Sequence, residues 1–139
     1  MAKAVERATE MASGTEGGGE GGLEWRDAVK GVVTARPEVH GDVVLARKDV
    51  ATSYHLAVTL DDHIQEVSLV TRGEDLFATT HVHRLLQALL GLNVPDYHHH
   101  GLITGPDGKR LATRDRAASL RGLREDGVTP AAARKMAGF

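Results

Sequence analysis

The stretch from residue 67 to residue 91, VSLVTRGEDLFATTHVHRLLQALLG, decides the fold. It opens on a short apolar run that predicts a strand ending at Thr71-Arg72-Gly73, where glycine permits a tight exit. A helix should follow, with Thr79 or Thr80 as its cap and Gly91 as its stop. The apolar side chains that recur at helical spacing are Val82, Leu85, Leu86, Leu89 and Leu90.

Apolar runs on both sides of this stretch predict further strands. Leu23-Glu24-Trp25 and Val29 to Val33 predict two short strands, and Val43 to Ala46, which lies between turn residues, predicts a buried one. Tyr54 to Leu60 is compatible with a strand or a helix because it is apolar at nearly every position, and we expect it to begin as a strand. Tyr97 to Ile103 predicts the last strand.

The C-terminal part predicts two short helices, one capped by Ser119 and one that begins at Thr129-Pro130. Strands that alternate with helices predict an α/β fold, with parallel strands and flanking helices. Ligands bind such sheets at the carboxyl ends of the strands. Two polar segments fall at or near such ends, Arg72-Gly73-Glu74-Asp75 and Lys109-Arg110.

The composition limits the classes of function that the chain can have. The chain has 139 residues, of which 41% are apolar and 26% charged, and this suits one domain with a modest core. Lys and Arg total 17 against 19 Asp and Glu, so no overall positive field exists to hold nucleic acid without specificity. Because the sequence has no cysteine, disulfide frameworks, thiolate zinc sites and cysteine nucleophiles are excluded.

The N-terminal segment differs in composition from the rest. Residues 1–22 predict a weak helix followed by a Gly-rich flexible segment, so the compact domain is expected to span residues 23–139. Glu6 and Glu10 lie where a signal peptide would have its hydrophobic core, and no apolar stretch approaches about 18 residues. We therefore expect a cytoplasmic protein without a membrane partner.

Arg72 and Tyr54 are candidate binding residues. A guanidinium at the end of a strand can hold a carboxylate or a phosphate through two parallel hydrogen bonds. The alternative for Arg72 is a structural ion pair with Glu74 or Asp75. The hydroxyl of Tyr54 can bind a substrate or reach solvent or backbone, and taken alone this residue favours the core.

Two clusters resemble metal ligands. Asp61, Asp62 and His63 are adjacent in sequence, so their side chains point in different directions and do not meet one ion easily. Of His98-His99-His100, the first and third would share one face of a strand, yet two imidazoles fall short of a metal site. Hydrogen bonding is the favoured role of both clusters, and metal binding is the alternative.

A basic series follows the predicted turn Gly105-Pro106-Asp107-Gly108. A solvated charged face would have a similar composition, but a loop of basic residues can also close over a polyphosphate. The sequence contains no Walker loop, GxGxxG, Gly-x-Ser-x-Gly or His-Glu-x-x-His motif. The basic side chains are Lys109, Arg110, Arg114, Arg116, Arg121 and Arg124.

Seven blocks in order resemble the glutamyl-tRNA synthetase superfamily and, within it, the glutamyl-Q tRNA(Asp) synthetases. Their order and spacing are specific, and the resemblance runs from about Leu23 to the last residue. The blocks are GDVVLARKD (41–49), SYHLAV (53–58), DD (61–62), VTRGEDL (70–76), HRLLQALLGL (83–92), PDYHHH (95–100) and DGKRLA (107–112).

This resemblance implies the C-terminal half of a class I synthetase Rossmann-like catalytic domain. It also implies a ligase that activates glutamate with ATP and its magnesium ion, then transfers the glutamyl group to queuosine of tRNA(Asp). The family's N-terminal half carries a His-x-Gly-His-type ATP signature and usually a zinc site, and the chain contains neither. We therefore expect a truncated form with little activity alone and no zinc ligands. This form is expected to self-associate or to be complemented by an N-terminal half.

The resemblance also implies roles for individual residues. Tyr54 and Arg72, 18 residues apart as in the family pattern, would bind glutamate. The ATP-binding loop would comprise Lys109, Arg110, Leu111, Ala112, Thr113 and Arg114. Thr113 stands where the family has a lysine on the ATP phosphates, and losing that cation lowers the rate on the order of 10²-fold.

Three alternatives remain open from the sequence. The chain could be a fragment of a glutamyl-tRNA synthetase, a noncatalytic module that binds tRNA through its basic loop, or a truncated product without function. Salt-sensitive tRNA binding without affinity for glutamate or ATP distinguishes the noncatalytic module.

Overall fold

The computed structural model describes residues 22–49, 51–104 and 119–138. The predicted N-terminal helix, the Gly-rich segment up to residue 21, the turn at 105–108 and the expected ATP-binding loop at 109–114 lie outside these ranges. Of the described residues, those from Gly22 to His100 form one compact unit, and those from Gly101 onward form another.

The first unit is built on a four-stranded sheet with the order β2-β1-β4-β3. Strand β4 pairs in parallel with both β1 and β3, whereas β1 and β2 form an antiparallel hairpin. Residues 28–30, which connect β1 to β2, are too few for the crossover that a parallel pair of strands needs. The α/β prediction is therefore confirmed as a mixed, mostly parallel sheet. The strands are β1 (Glu24–Asp27), β2 (Gly31–Thr34), β3 (Leu69–Gly73) and β4 (Asp96–His100).

Four α-helices lie within the described ranges. The helix predicted after β3 is confirmed, and it stops at Gly91 with a left-handed φ of 65°. Ser119 and Thr129 cap the last two helices as predicted, because their side chains accept the N–H groups of Gly122 and Ala132. The helices are α1 (Tyr54–Ile64), α2 (Thr80–Leu90), α3 (Leu120–Glu125) and α4 (Pro130–Met136), and short 3-10 helices span Pro37–His40 and Glu74–Leu76.

The expectation that Tyr54 to Leu60 begins as a strand is wrong, since α1 begins at Tyr54. Ser53 is extended, with a ψ of 163°, and its side chain accepts the backbone N–H of Leu56. A serine in this position satisfies a free donor of the first helical turn and so favours the helix.

The buried strand predicted at Val43 to Ala46 is also wrong. The segment has no regular structure, and 61% of Val44 is exposed. The carbonyl of Leu45 accepts the N–H of Ser53 at 2.7 Å, so this backbone closes a loop ahead of α1 instead of joining the sheet.

Helix α2 covers one face of the sheet. Trp25 on β1 and Tyr97 on β4 point to this face, and the Trp25 ring packs 4.8 Å from the ring of His81 on α2. Gln87 of α2 donates to the Tyr97 hydroxyl at 3.0 Å. The buried apolar side chains are Leu23, Trp25, Val82, Leu85, Leu86 and Tyr97.

A polar group of side chains is buried under the same helix. These side chains come from three strands and α2, and their burial requires partners for every polar atom. They are Asp27, Arg72, Thr80, His83 and His99. None of the helices within the described ranges combines the length and the apolarity that crossing a membrane requires.

Candidate functional site

Arg72 lies near the carboxyl end of β3, and only 8% of it is exposed. Its Nε donates to Nε2 of His99 at 3.1 Å, and its Nη1 donates to Nδ1 of His83 at 3.2 Å. Its Nη2 donates to the hydroxyl of Thr80. All three nitrogens of the guanidinium are therefore held in place by acceptors from β4 and α2.

The charge of Arg72 meets no carboxylate in the ion pairs of residues 22–49, 51–104 and 119–138. Glu74, one of its two predicted structural partners, instead accepts from Nζ of Lys30 at 2.7 Å. The ring of Tyr97 faces the guanidinium, with its centroid 5.1 Å from Cζ. A buried cation among neutral acceptors is suited to receive an anion from outside this part of the chain.

A carboxylate and an imidazole lie behind Arg72. Oδ2 of Asp27 is 2.5 Å from Nδ1 of His99, and both side chains are fully buried. Burial pushes the pKa of Asp27 upward, but bonds from His99 and from the backbone of Lys30 and Val29 outweigh it and bring this pKa to about 2. Burial lowers the pKa of His99 despite the bond to Asp27. Asp27 is thus ionised, and His99 is neutral.

A pair of imidazoles lies on the other side of Arg72. His83 on α2 contacts His55 on α1, with 3.1 Å between Nε2 of His83 and Nδ1 of His55. Burial, followed by the charge of Arg72, lowers the pKa of His83 to about 3. Burial is also the first cause that lowers the pKa of His55. The guanidinium therefore lies between neutral imidazoles.

Tyr54 begins α1 and reaches the same imidazole. Its ring centroid is 5.8 Å from that of His83 and 5.7 Å from that of His55. The expectation that Tyr54, taken alone, belongs to the core is wrong, because 51% of it is exposed. Tyr54 and Arg72 are both neighbours of His83, so α1 and β3 bring the two predicted residues to one place.

A cleft of about 250 Å³ lies along the segment that leads into Tyr54. The described lining residues are mostly apolar or hydroxylic, and Arg47 among them lies 3.4 Å from a carboxylate oxygen of Asp49. The segment predicted as a buried strand therefore lines an open cleft. The lining residues are Val44, Ala46, Arg47, Thr52 and Ser53.

The predicted metal-like clusters are dispersed. His99 faces the buried side of β4, whereas His98 is half-buried and His100 exposed. In α1, the ring of His63 bonds to the side chain of Asn93, and burial raises the pKa of Asp62. Within the described ranges, no three side chains of His, Asp or Glu are grouped to hold a metal ion.

Sequence reasoning missed four residues of the buried polar group: Asp27, Thr80, His83 and His99. One signal was available, because alternation along β4 places His99 on the same face as the apolar Tyr97. The partner of His99 was not visible in this way, since Asp27 lies 72 positions away along the chain.

Comparison with known proteins agrees with this architecture. Residues 18–137 match the family described as tRNA synthetases class I (E and Q), catalytic domain. A glutamyl-Q tRNA(Asp) synthetase of Rhodobacter capsulatus is 59% identical over 99 residues, which are 71% of this chain and 36% of that protein. Glutamate--tRNA ligase 2 of Syntrophus aciditrophicus is 35% identical over 113 residues, or 81% of this chain and 23% of that protein.

A solved structure is also similar. It is a glutamate tRNA ligase from Elizabethkingia meningosepticum in complex with its amino acid, with 32% identity and a TM-score of 0.57. The match covers 67% of this chain and 19% of that one, so the chain spans about a third or less of the length of these relatives. Because the family match extends over residues 18–137 and the structural match agrees with it, the chain belongs to the class I tRNA synthetases (E and Q).

Proposed function

We propose that the chain is part of a ligase that activates glutamate with ATP and transfers the glutamyl group to queuosine of tRNA(Asp). Its ligands are then glutamate, ATP with magnesium and tRNA(Asp). One observation carries the proposal: the buried guanidinium of Arg72 meets no carboxylate in the ion pairs of the described residues, and it shares a neighbour with the exposed Tyr54. In a family that charges tRNA with E and Q, glutamate supplies the carboxylate that this arrangement lacks.

Arg72 and Tyr54 have complementary tasks in this proposal. Each terminal nitrogen of an arginine carries two N–H groups, so Nη1 and Nη2 can donate to a substrate carboxylate while they keep their bonds to His83 and Thr80. The half-exposed Tyr54 offers a hydroxyl donor at the open side of the site. A carboxylate oxygen of the bound glutamate then attacks the α-phosphorus of ATP, and pyrophosphate leaves.

The transfer to queuosine is favoured over ordinary charging of tRNA by the degree of similarity. Identity is 59% to the glutamyl-Q tRNA(Asp) synthetase of Rhodobacter capsulatus and 35% to the Syntrophus aciditrophicus ligase. We assign residues 23–139 to a partial catalytic domain and residues 109–114 to contact with ATP. Thr113 in that loop weakens the stabilisation of the phosphates.

Further polypeptide completes the site in this proposal. The matched part is 36% of the Rhodobacter capsulatus protein, so that relative contains further polypeptide beyond the matched part. Apolar side chains on both outer strands of the sheet support a contact with another polypeptide, since 68% of Val32 on β2 and 49% of Leu69 on β3 are exposed. That polypeptide is an N-terminal half of such a relative or a second copy of this chain.

Pyrophosphate exchange tests the proposal. Glutamate-dependent exchange between ATP and pyrophosphate is measured for the chain alone and with a separately produced N-terminal half of the Rhodobacter capsulatus relative. We expect little exchange alone, more with the added half, and a further increase with Thr113→Lys. Arg72→Gln should abolish the exchange, whereas Arg134→Gln, which removes an exposed cation on α4, should leave it in place.

Two outcomes contradict the proposal. If the folded mixture of the chain and the added N-terminal half shows neither pyrophosphate exchange nor glutamate binding, the chain has no glutamate site. Salt-sensitive binding of tRNA with no affinity for glutamate or ATP assigns the chain instead to noncatalytic tRNA binding. Size-exclusion chromatography of the chain, with and without the added half, identifies which polypeptide associates with it.

A further inference from the structure

Asp27 and His99 form a support behind Arg72. We infer that they are positioning residues: Asp27 fixes His99 in the tautomer protonated on Nδ1, and the free Nε2 of that tautomer holds the Nε–H of Arg72. The significance of this support rests on the proposed binding of a carboxylate by Arg72. The protonation of His99 itself is measurable without any substrate.

The sheet brings the three side chains into one row. Strand β4 lies between β1 and β3, so His99 is placed between Asp27 on β1 and Arg72 on β3. The distances are 2.5 Å from Asp27 Oδ2 to His99 Nδ1 and 3.1 Å from His99 Nε2 to Arg72 Nε. All three residues are buried, with 1%, 3% and 8% of Asp27, His99 and Arg72 exposed. Solvent therefore does not compete for these bonds.

The two neighbours of His99 require the same tautomer. An ionised carboxylate only accepts hydrogen bonds, so the nitrogen that faces Asp27 must carry the proton. The Nε of arginine only donates, so the nitrogen that faces Arg72 must be unprotonated. A neutral imidazole protonated on Nδ1 satisfies both. The hydroxyl of Thr80, 3.1 Å from Nε2, also accepts from Nη2 of Arg72 and closes the arrangement.

The imidazole also keeps the two charges apart. A direct pair between Asp27 and Arg72 would place a carboxylate on the guanidinium and compete with a substrate carboxylate for it. With His99 between them, Arg72 is held through Nε by a neutral group, and the charge of the guanidinium is left for an anionic ligand. His83 holds the opposite side through Nη1 in the same manner.

Replacement of Asp27 by asparagine should reverse this tautomer. Oδ1 of Asp27 accepts two backbone N–H groups, from Val29 at 2.9 Å and from Lys30 at 3.0 Å. In Asp27→Asn these two donors keep the amide oxygen in its place, so the amide NH₂ faces His99. Because NH₂ donates, Nδ1 must give up its proton and Nε2 must take one. Nε2–H then opposes the Nε–H of Arg72, and the guanidinium is released.

The experiment is NMR on the full ¹⁵N-labelled chain without substrate. Long-range ¹H–¹⁵N spectra identify which ring nitrogen of His99 carries the proton, and solvent exchange of the Arg72 Nε–H reports its bond. We expect Nδ1–H and slow exchange in the wild type, against Nε2–H and faster exchange in Asp27→Asn. Thr59→Val, which removes a buried hydroxyl that bonds to the backbone of α1, should leave both signals unchanged.

A second variant, His99→Gln, tests the inference even if Asp27→Asn does not fold. In His99→Gln, the side-chain amide lies about as far from Cβ as Nε2 of histidine and can offer its oxygen to Arg72 without Asp27. We expect the Arg72 Nε–H to stay slow in exchange in His99→Gln, and adding Asp27→Asn to that variant should have little effect on it. A merely structural role of Asp27 would not produce this rescue.

The results separate this inference from the proposed function. Nε2–H in wild-type His99, or an unchanged tautomer and unchanged Arg72 exchange in folded Asp27→Asn, overturns the inference. A titration with L-glutamate should show an affinity loss of about tenfold or more for Asp27→Asn and a smaller loss for His99→Gln. If the wild type binds no glutamate while the NMR results are as expected, the proposed function fails and the positioning of Arg72 by Asp27 and His99 stands.

Discussion

The rings of Tyr54 and His83 lie 5.8 Å apart, with their planes at 62°. Nδ1 of the same His83 accepts a hydrogen bond from Arg72 at 3.2 Å. One neutral imidazole on α2 therefore touches both residues to which the proposed glutamate site is assigned. Tyr54 forms the exposed side of this group, and Arg72 forms its buried charge.

Tyr54→Phe removes the hydroxyl of Tyr54 and keeps its ring, so it tests the role of the hydroxyl alone. The ring contacts with His55 and His83 remain, and the half-exposed hydroxyl contributes little to the fold, so the free energy of unfolding should change by less than about 0.5 kcal/mol. The affinity for glutamate should fall about tenfold, because one hydrogen bond to a charged group is lost. Urea unfolding and a glutamate titration measure the two quantities. An unchanged affinity would remove Tyr54 from the site.

Glu74→Gln tests whether the carboxylate two positions after Arg72 belongs to the site. Glu74 pairs with Lys30 at 2.7 Å, and that bond lowers the pKa of Glu74. Its neutralisation should therefore leave the glutamate affinity unchanged and make unfolding less sensitive to salt. Arg72→Gln, two positions away, should abolish glutamate binding. A gain in glutamate affinity in Glu74→Gln would show that this carboxylate competes for Arg72.

The elements that the sequence predicts well are those specified by local chemistry. Helix α2 has an apolar stripe and a glycine at its end, and β3 begins with the apolar Leu69 and Val70 and ends at Gly73. Tyr54 to Leu60 has no such stripe, and the deciding group was the side chain of Ser53 just before it. The segment at Val43 has the composition of a strand, but a strand also needs a neighbour with which to pair.

The site shows the same division. Arg72 is a candidate from the sequence because it lies near the end of an apolar strand, and Tyr54 through the resemblance of its surroundings to a known family. The support by Asp27 and His99 depends on β4 lying between β1 and β3, which is a property of the sheet order. Local sequence patterns do not contain that order. In the triple histidine they single out His98 and His100, which share one face of a strand, and not His99.

Gly91→Ala should destabilise the chain through the backbone alone. Gly91 ends α2 with a φ of +65°, and an added Cβ would meet no atom of the described residues within 4 Å, so the cost is that of a left-handed conformation. We expect a loss of about 1 kcal/mol in the free energy of unfolding, and a smaller loss for Gly91→Asn. Gly22→Ala, at a position without a left-handed φ, is the matched control for chemical denaturation. Equal effects at both positions would contradict the assignment.

His83 should make the chain less stable as the solution becomes acidic. Its pKa is about 3 in the folded chain, against an ordinary value of 6.5 that applies to the unfolded chain. Between these values the unfolded chain binds a proton at His83 and the folded chain does not, so acid favours unfolding. The contribution of neutral His83 to the free energy of unfolding should be fully present above pH 6.5. It should be lost as the pH falls toward about 3, with a slope of up to about 1.4 kcal/mol per pH unit.

The variant His83→Gln isolates this contribution, because glutamine offers an acceptor to Arg72 but does not titrate. Its free energy of unfolding, measured by urea at a series of pH values, should fall less steeply than that of the wild type between pH 6.5 and 3. Part of the slope should persist, since burial also lowers the pKa of His55 and His99. Asp27, with a pKa of about 2 against 3.8, adds its own loss from pH 3.8 downward, which overlaps only the acidic end of that range. Identical slopes for the two proteins would show that His83 is protonated in the folded chain, in which case it could not accept the bond from Arg72.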